Sequence, residues 1–289
     1  MLWLALAALV AWLATGAHAA ARASEFTAAQ IIEKNVAARG GLDAWRKIET
    51  MVWSGHLESA NAPLPSMPFV LEQQRPNKTR FEITAMNQRT LRVFDGAQGW
   101  KIRPGRDGRP DIQPYSPQEL QFAQQAQSID GPLIDYEAKG IAVALSGVDE
   151  IDGRKAYRLS VRFPSGENHQ VWIDAQTFLE IRYDRTSYNR TGVPSTVPVF
   201  YHDYKPVEGL MIPFTIEIGA DSGKKPDKMV IEKIALNSLV NDRTFAKPGA
   251  RPARNRAVMQ TMPLQSQMPL VPLLPAEAAM TPDPGREPK

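Results

Sequence analysis

From Thr50 onward, apolar residues recur mostly at every second position. In Thr79 to Met86, Phe81, Ile83 and Ala85 alternate with Arg80, Glu82 and Thr84, the pattern of a strand with one apolar and one wet face. Arg89 to Phe94 repeats it, Asp95-Gly96 supplies a turn and Trp100 to Arg103 returns, and Asp-Gly between alternating runs predicts a hairpin. Thr50 to Glu58 and Pro68 to Gln74 are strands upstream, with Arg75-Pro76-Asn77-Lys78 as the turn into Thr79. Further along, Ile141 to Ile151, Lys155 to Phe163, His169 to Asp174 and Phe178 to Tyr188 read as strands, separated by Asp152-Gly153, Pro164-Ser165-Gly166 and Ala175-Gln176. Val197 to Tyr204, Met211 to Gly219 and Lys228 to Leu239 complete the array. The total is about eleven strands, joined mostly by short turns, so sequence neighbours pair antiparallel. A sheet that wide with one apolar face curls, because a flat one would leave that face wet.

The 3.6-residue period appears in three places. Thr27 caps a helix over Ala28 to Arg39, with Ile31, Ile32, Val36 and Ala37 as its apolar stripe and Gly40-Gly41 as its stop. A second short helix covers Leu42 to Ile48. The stretch from Gly105 to Gly140 breaks the strand rhythm: Pro110 and Pro114 flank a loop, and Ser116-Pro117 open a helix over Gln118 to Ser128. The expected fold is therefore β-rich α+β, a strongly curved antiparallel sheet with helices covering its open side.

The ends read differently. Leu2 to Thr15 is almost purely apolar and leads into Gly16-Ala17-His18-Ala19-Ala20, which predicts a secretory signal peptide over residues 1–19, cleaved after Ala19. No Lys or Arg precedes the run, which falls short of the roughly 20 residues a comfortable membrane span needs. From Lys247 to Lys289 the chain holds nine of its 24 prolines and shows no sustained period of 2 or 3.6, so residues 249–289 are expected as a disordered tail. The middle leaves about 220 residues, enough for one large β-domain.

Composition narrows the function. The 289-residue chain has a net charge of +3 and no cysteine. Nucleic acid as a partner calls for a concentrated basic face, which this balance does not suggest. Without cysteine there is no disulfide, no thiol nucleophile, no Cys zinc ligand and no acylated cysteine anchor. His56, His169 and His202 show no metal-ligand spacing, no Gly-x-Ser-x-Gly elbow or phosphate loop is present, and Asp149, Asp152, Asp174 and Asp203 fall at or near turns. Tyr201-His202-Asp203-Tyr204 is the one dense polar-aromatic cluster. Arg80, Arg92, Arg158, Arg162, Arg182 and Arg185 lie in strands and are expected mostly on the wet face. No catalytic residue, metal or cofactor is expected.

Several stretches resemble the outer-membrane lipoprotein-sorting (LolA-like) family of periplasmic carriers. Ala37-Ala38-Arg39-Gly40-Gly41-Leu42-Asp43 is similar to the end of the family's first helix, and Phe94-Asp95-Gly96-Ala97-Gln98-Gly99-Trp100 to its aromatic-Asp-Gly hairpin. Val171-Trp172-Ile173-Asp174-Ala175 is similar to its strand with an Asp-led turn. Asp203-Tyr204-Lys205-Pro206-Val207-Glu208-Gly209-Leu210-Met211-Ile212-Pro213 is the nearest match, to its Gly-Leu-x-x-Pro hairpin. Leu236-Asn237 and Asn241-Asp242-Arg243-Thr244-Phe245-Ala246-Lys247-Pro248 are similar to its closing strand and Phe-x-x-Pro end. The resemblance covers residues 25–248 and implies an incomplete barrel whose mouth is plugged by helices, with acyl chains bound between sheet and helices.

On that scaffold the candidate cavity wall is Phe81, Ile83, Leu91, Val93, Tyr157, Leu159, Val161, Val171, Ile173, Phe214 and Ile216. The expected partners are the acyl chains of a lipid or lipoprotein and a membrane-bound donor or acceptor protein, with no nucleic acid and the carrier itself a monomer. A lipid- or stress-sensing interaction module on the same scaffold is the second reading, and a hydrolase using His202 or His169 the third.

Overall fold

The computed structural model describes residues 26–60, 62, 64–105, 109–125, 129–188, 194–219 and 225–247. The expected signal peptide and Pro-rich tail lie outside these residues. The described chain forms one antiparallel sheet of thirteen strands with three short helices, rather than about eleven strands. The N-terminal strands are β1 (Thr50–Glu58), β2 (Ser66–Gln74), β3 (Lys78–Ala85), β4 (Gln88–Phe94), β5 (Gly99–Pro104) and β6 (Pro110–Pro114). The C-terminal strands are β7 (Ala142–Ile151), β8 (Arg154–Arg162), β9 (Asn168–Asp174), β10 (Glu180–Tyr188), β11 (Pro194–Val207), β12 (Leu210–Ile218) and β13 (Asp227–Leu236). β6 is the strand that sequence took for a loop: it pairs along β5 while its own side chains stay exposed, so no alternation betrays it.

The strand order is β6-β5-β4-β3-β2-β1-β13-β12-β11-β10-β9-β8-β7. Each half is a meander, and one long-range pairing, β1 with β13, joins them. β6 and β7 are the two edges and do not pair, so the sheet does not close into a barrel. Short turns carry the meander. At Asp152-Gly153 and Glu208-Gly209 both turn residues have positive φ, which matches the twist of a two-residue hairpin.

Helix α1 (Ala28–Ala38) starts with a capping box: the Gln30 amide donates to Thr27 Oγ1, and the Thr27 amide to Gln30 Oε1. Gly40 stops it at φ +109°, and a β-carbon there would meet the Gly209 carbonyl at 2.4 Å. Helix α2 (Leu42–Arg46) buries Trp45, whose indole donates to the Arg39 carbonyl. Helix α3 (Pro117–Gln125) carries a second capping box, between Ser116 and Glu119.

Helix α3 fixes how far the sheet bends. Glu119 accepts from Arg92 of β4 at 3.1 Å and from Lys101 of β5 at 2.8 Å. One turn on, the Phe122 ring lies 5.0 Å from the Arg185 guanidinium of β10. β4 and β10 are seven strand spacings apart in the order, roughly 34 Å along a flat sheet, whereas residues three apart on a helix are roughly 5–6 Å apart. Both contacts are possible because the sheet curves round α3 and brings its two halves face to face.

Candidate functional site

Register decides which side chains line the concave face. Directly opposed residues in an antiparallel pair share a face. Phe81 and Ile83 oppose Leu71 and Phe69, Gly55 between the strands opposes both Phe69 and Ile231, and Ile216 opposes Met229 and Tyr201. The same face continues through Val199, Tyr183 and Val171 to Leu159, with Ile173 opposite Tyr157 and Val161 opposite His169. Phe214, two residues from Ile216, joins it. The predicted wall residues Phe81, Ile83, Tyr157, Leu159, Val161, Val171, Ile173, Phe214 and Ile216 therefore share one surface.

Leu91 and Val93 do not. They oppose Glu82 and Arg80, on the convex side, where they cluster with Trp100 and Ile102. The reason is the length of one turn. Met86 and Asn87 alone form the β3–β4 loop, so Ala85 pairs with Gln88 and odd positions of β3 face even positions of β4. Arg92 lands beside Phe81 as a result. A period-2 count within β4 cannot reveal this, because register comes from the loop.

The wall residues fall into two groups. Tyr157, Leu159, Val161, Val171 and Ile173 pack against Ile31 and Ile32 of α1 and against Leu133 and Ile141. Phe81 and Ile216 pack with Phe69, Val199 and Met229, with Ile83 and Phe214 at their margin. Tyr183 contacts both groups. Trp45, Ile48, Ile129 and Ile134 form a third cluster with Met51, Leu210 and Leu236, where α2 and the 129–140 segment cover one end of the sheet.

Ion pairs fasten these covers. Asp130 is buried and accepts from Arg75 at 2.7 Å and Lys139 at 2.6 Å. Burial raises the pKa of its carboxyl, but the two cations outweigh burial and hold it below its ordinary value. Arg39, at the end of α1, donates to Glu180 of β10 and to the Asp130 carbonyl, both at 3.0 Å, and lies over the Trp45 ring. For Glu119, burial pushes up and the Lys101 hydrogen bond, the Ser116 amide and Arg92 pull down, leaving its pKa lowered.

The concave face also holds polar groups that sequence placed elsewhere. Arg92 and Arg185 were expected on the wet face, yet Arg92 opposes Phe81 and Arg185 opposes Val197. Arg80, Arg158 and Arg182 do lie on the convex side, where Arg182 stacks on Trp172 and Phe200. His169 Nδ1 is 2.5 Å from the Tyr183 hydroxyl, and burial lowers the histidine's pKa and raises the tyrosine's. No pattern signal marks Tyr183 and Arg185, since β10 mixes polar and apolar residues on both faces.

The Tyr201-His202-Asp203-Tyr204 cluster does not converge. Tyr201 is on the concave face, while His202 opposes Thr215 on the convex face, stacks on Phe200 and lies 4.0 Å from Glu217. Asp203, which follows them at φ +54°, accepts from Thr215 Oγ1. Among the described residues no three His, Cys, Asp or Glu side chains are grouped to hold a metal, and no helix is long and apolar enough to cross a membrane.

Fold and face together define a class: an open, curved antiparallel sheet with one apolar concave surface roofed by short helices. No family model and no curated protein matches the sequence. Solved structures do match. A DUF1329 family protein from Desulfovibrio piger superposes with a TM-score of 0.51 at 12% identity, over 78% of this chain and 99% of its own. A LolA superfamily protein from Nitrosomonas europaea gives 0.51 at 15% identity, over 77% of this chain and 98% of its own. The chain has the LolA-like fold, as the sequence motifs had indicated.

Proposed function

We propose that this chain is an exported carrier of the lipoprotein-sorting type, which holds the acyl chains of a lipid or lipid-anchored protein between the concave face of its sheet and its helical cover. The observation that carries the reading is the apolar face running from β3 through β1 and β12 to β8, covered by segments that are tied down by side chains and not by strand pairing. A half-open barrel of this kind opens between β6 and β7. An acyl chain gains about 0.8 kcal/mol per methylene removed from water, so a diacyl anchor needs such a shelter to cross an aqueous compartment. Release needs a cover that can shift, and a few ion pairs around Asp130 and Glu119 provide one.

In this reading residues 1–19 direct export to the periplasm and are cleaved after Ala19, residues 25–248 are the carrier domain, and the protein acts as a monomer that meets a membrane-bound donor or acceptor. The wall is the predicted set without Leu91 and Val93. Binding, without cofactor or catalysis, is the proposed activity; the hydrolase reading through His202 gains no support, because His202 and its neighbour Tyr201 sit on opposite faces of the sheet. The test is organic extraction and mass spectrometry of the exported protein, with titration of a fluorescent fatty acid. Recovered acyl ligand and saturable binding are expected. Neither one appearing would end the carrier reading.

A further inference from the structure

The concave face is charged where α3 crosses it. Arg92 of β4 opposes Lys101 of β5 and also Phe81 of β3, so the three share the concave side. Among the described residues, the carboxylate paired with both cations is Glu119 of α3, one anion for two cations. Its Oε1 accepts from Arg92 Nη2 at 3.1 Å, and its Oε2 accepts from Lys101 Nζ at 2.8 Å and from the Ser116 amide at 2.8 Å. The Arg92 guanidinium lies 4.8 Å from the centre of the Tyr115 ring, which helps to hold it in place. That ring is packed on Gly99, where a β-carbon would come within 2.0 Å of it. The sheet and its edge thus fix a cradle of donors for a two-oxygen anion.

Helix α3 holds this place by polar contacts. Leu120 and Phe122 are half-buried, and neither belongs to the apolar clusters of the sheet. Besides the Glu119 pairs, Phe122 lies 5.0 Å from the Arg185 guanidinium and Gln121 donates to Glu167 at 3.5 Å. Towards the trough, α3 therefore presents a carboxylate and, one turn on, an apolar ring. Those are the two chemistries of a fatty acid. A carboxylate entering a site shielded from water needs its charge answered there, and charge-assisted hydrogen bonds answer it best. β5 is the neighbour of edge strand β6, which puts the cradle beside the opening of the trough.

We propose that the ligand of the concave face bears a free carboxylate, as a long-chain fatty acid does, and takes the place of Glu119 between Arg92 and Lys101 as α3 moves aside. The proposal rests on the carrier reading and narrows its cargo, because an acyl chain bound as an ester or amide has no such group. Phe81, beside Arg92, begins the apolar surface that the hydrocarbon chain then follows.

The probes are cis-parinaric acid and its methyl ester, fluorescent lipids that differ in the carboxylate charge, titrated into the full-length protein at neutral pH. The acid should bind the wild type about tenfold more tightly than the ester. Glu119→Gln keeps the capping box but removes the competing charge, and should raise the affinity for the acid severalfold. Arg92→Gln with Lys101→Gln should bring acid and ester to within about twofold of each other. Equal binding of acid and ester by the wild type, which needs no variant to fold, would overturn the proposal and leave the carrier reading standing. So would an acid affinity that does not rise in Glu119→Gln, or a preference for the acid that survives the double substitution. Binding of neither probe would overturn both.

Discussion

Arg92 of β4 and Arg185 of β10, seven strands apart in the sheet, meet the same turn of α3: Arg92 pairs with Glu119 and Arg185 lies on Phe122. The helix is a strut across the trough. It also concentrates charge there, since Glu119 answers both Arg92 and Lys101.

Replacing Glu119 by Ala should release that strut. Arg92 and Lys101 are 15% and 19% exposed, and without Glu119 they lose a shared, largely desolvated partner. The expected loss is about 2–3 kcal/mol, just under the range for a fully buried pair, read as a lower urea midpoint. An unchanged midpoint would mean that α3 contributes nothing to holding the two halves together.

Acid should loosen the covers. The Glu119 and Asp130 pKa values are both lowered in the folded state. A group depressed on folding contributes stability above its unfolded pKa, near 4 for carboxylates, and that contribution is lost as pH falls through the folded value. Urea midpoints should therefore fall between pH 5 and pH 3, and the slope should be shallower in Asp130→Asn. A slope identical to that of the wild type would contradict the assignment.

Ile83→Glu and Leu91→Glu make a matched pair. Both residues are half-buried on neighbouring strands, and they point to opposite faces. A carboxylate at 83 places a charge in the proposed acyl site and should weaken binding of a fluorescent fatty acid at least about tenfold, whereas one at 91 should leave it unchanged. Equal effects would remove the concave face from consideration as the binding surface.

Gly40 and Gly41 separate two kinds of strain. Both have positive φ, but a β-carbon at 40 would strike the Gly209 carbonyl, while one at 41 meets nothing within 4 Å. Gly41→Ala should cost about 1 kcal/mol from backbone strain alone, and Gly40→Ala distinctly more, because α1 must also withdraw from the β11–β12 hairpin. Thermal melts of the two variants report the difference.

Much of the strand array was legible because alternation, Asp-Gly turns and capping residues are local. Thr27 with Gln30, and Ser116 with Glu119, announce their helices within four residues. Phe178 was expected to open β10 but sits at φ +57° in the preceding turn, where the chain wraps Asp174. The site was legible only in part. Its apolar strands could be named, but the face of each depended on hairpin loops, and the two-residue Met86-Asn87 turn moved Leu91 and Val93 outward and Arg92 inward.

The sequence by itself determined that this chain would form an antiparallel β-array with one apolar face, because period-2 patterning and turn chemistry act over a few residues. Only the tertiary structure decided that β1 pairs with β13, that the sheet bends until β4 and β10 share α3, and which arginines lie inside. The pairing and the bend join residues distant in sequence, Met51 with Leu236 and Arg92 with Arg185. They are fixed by which distant surfaces exclude water together, a quantity that no local pattern encodes.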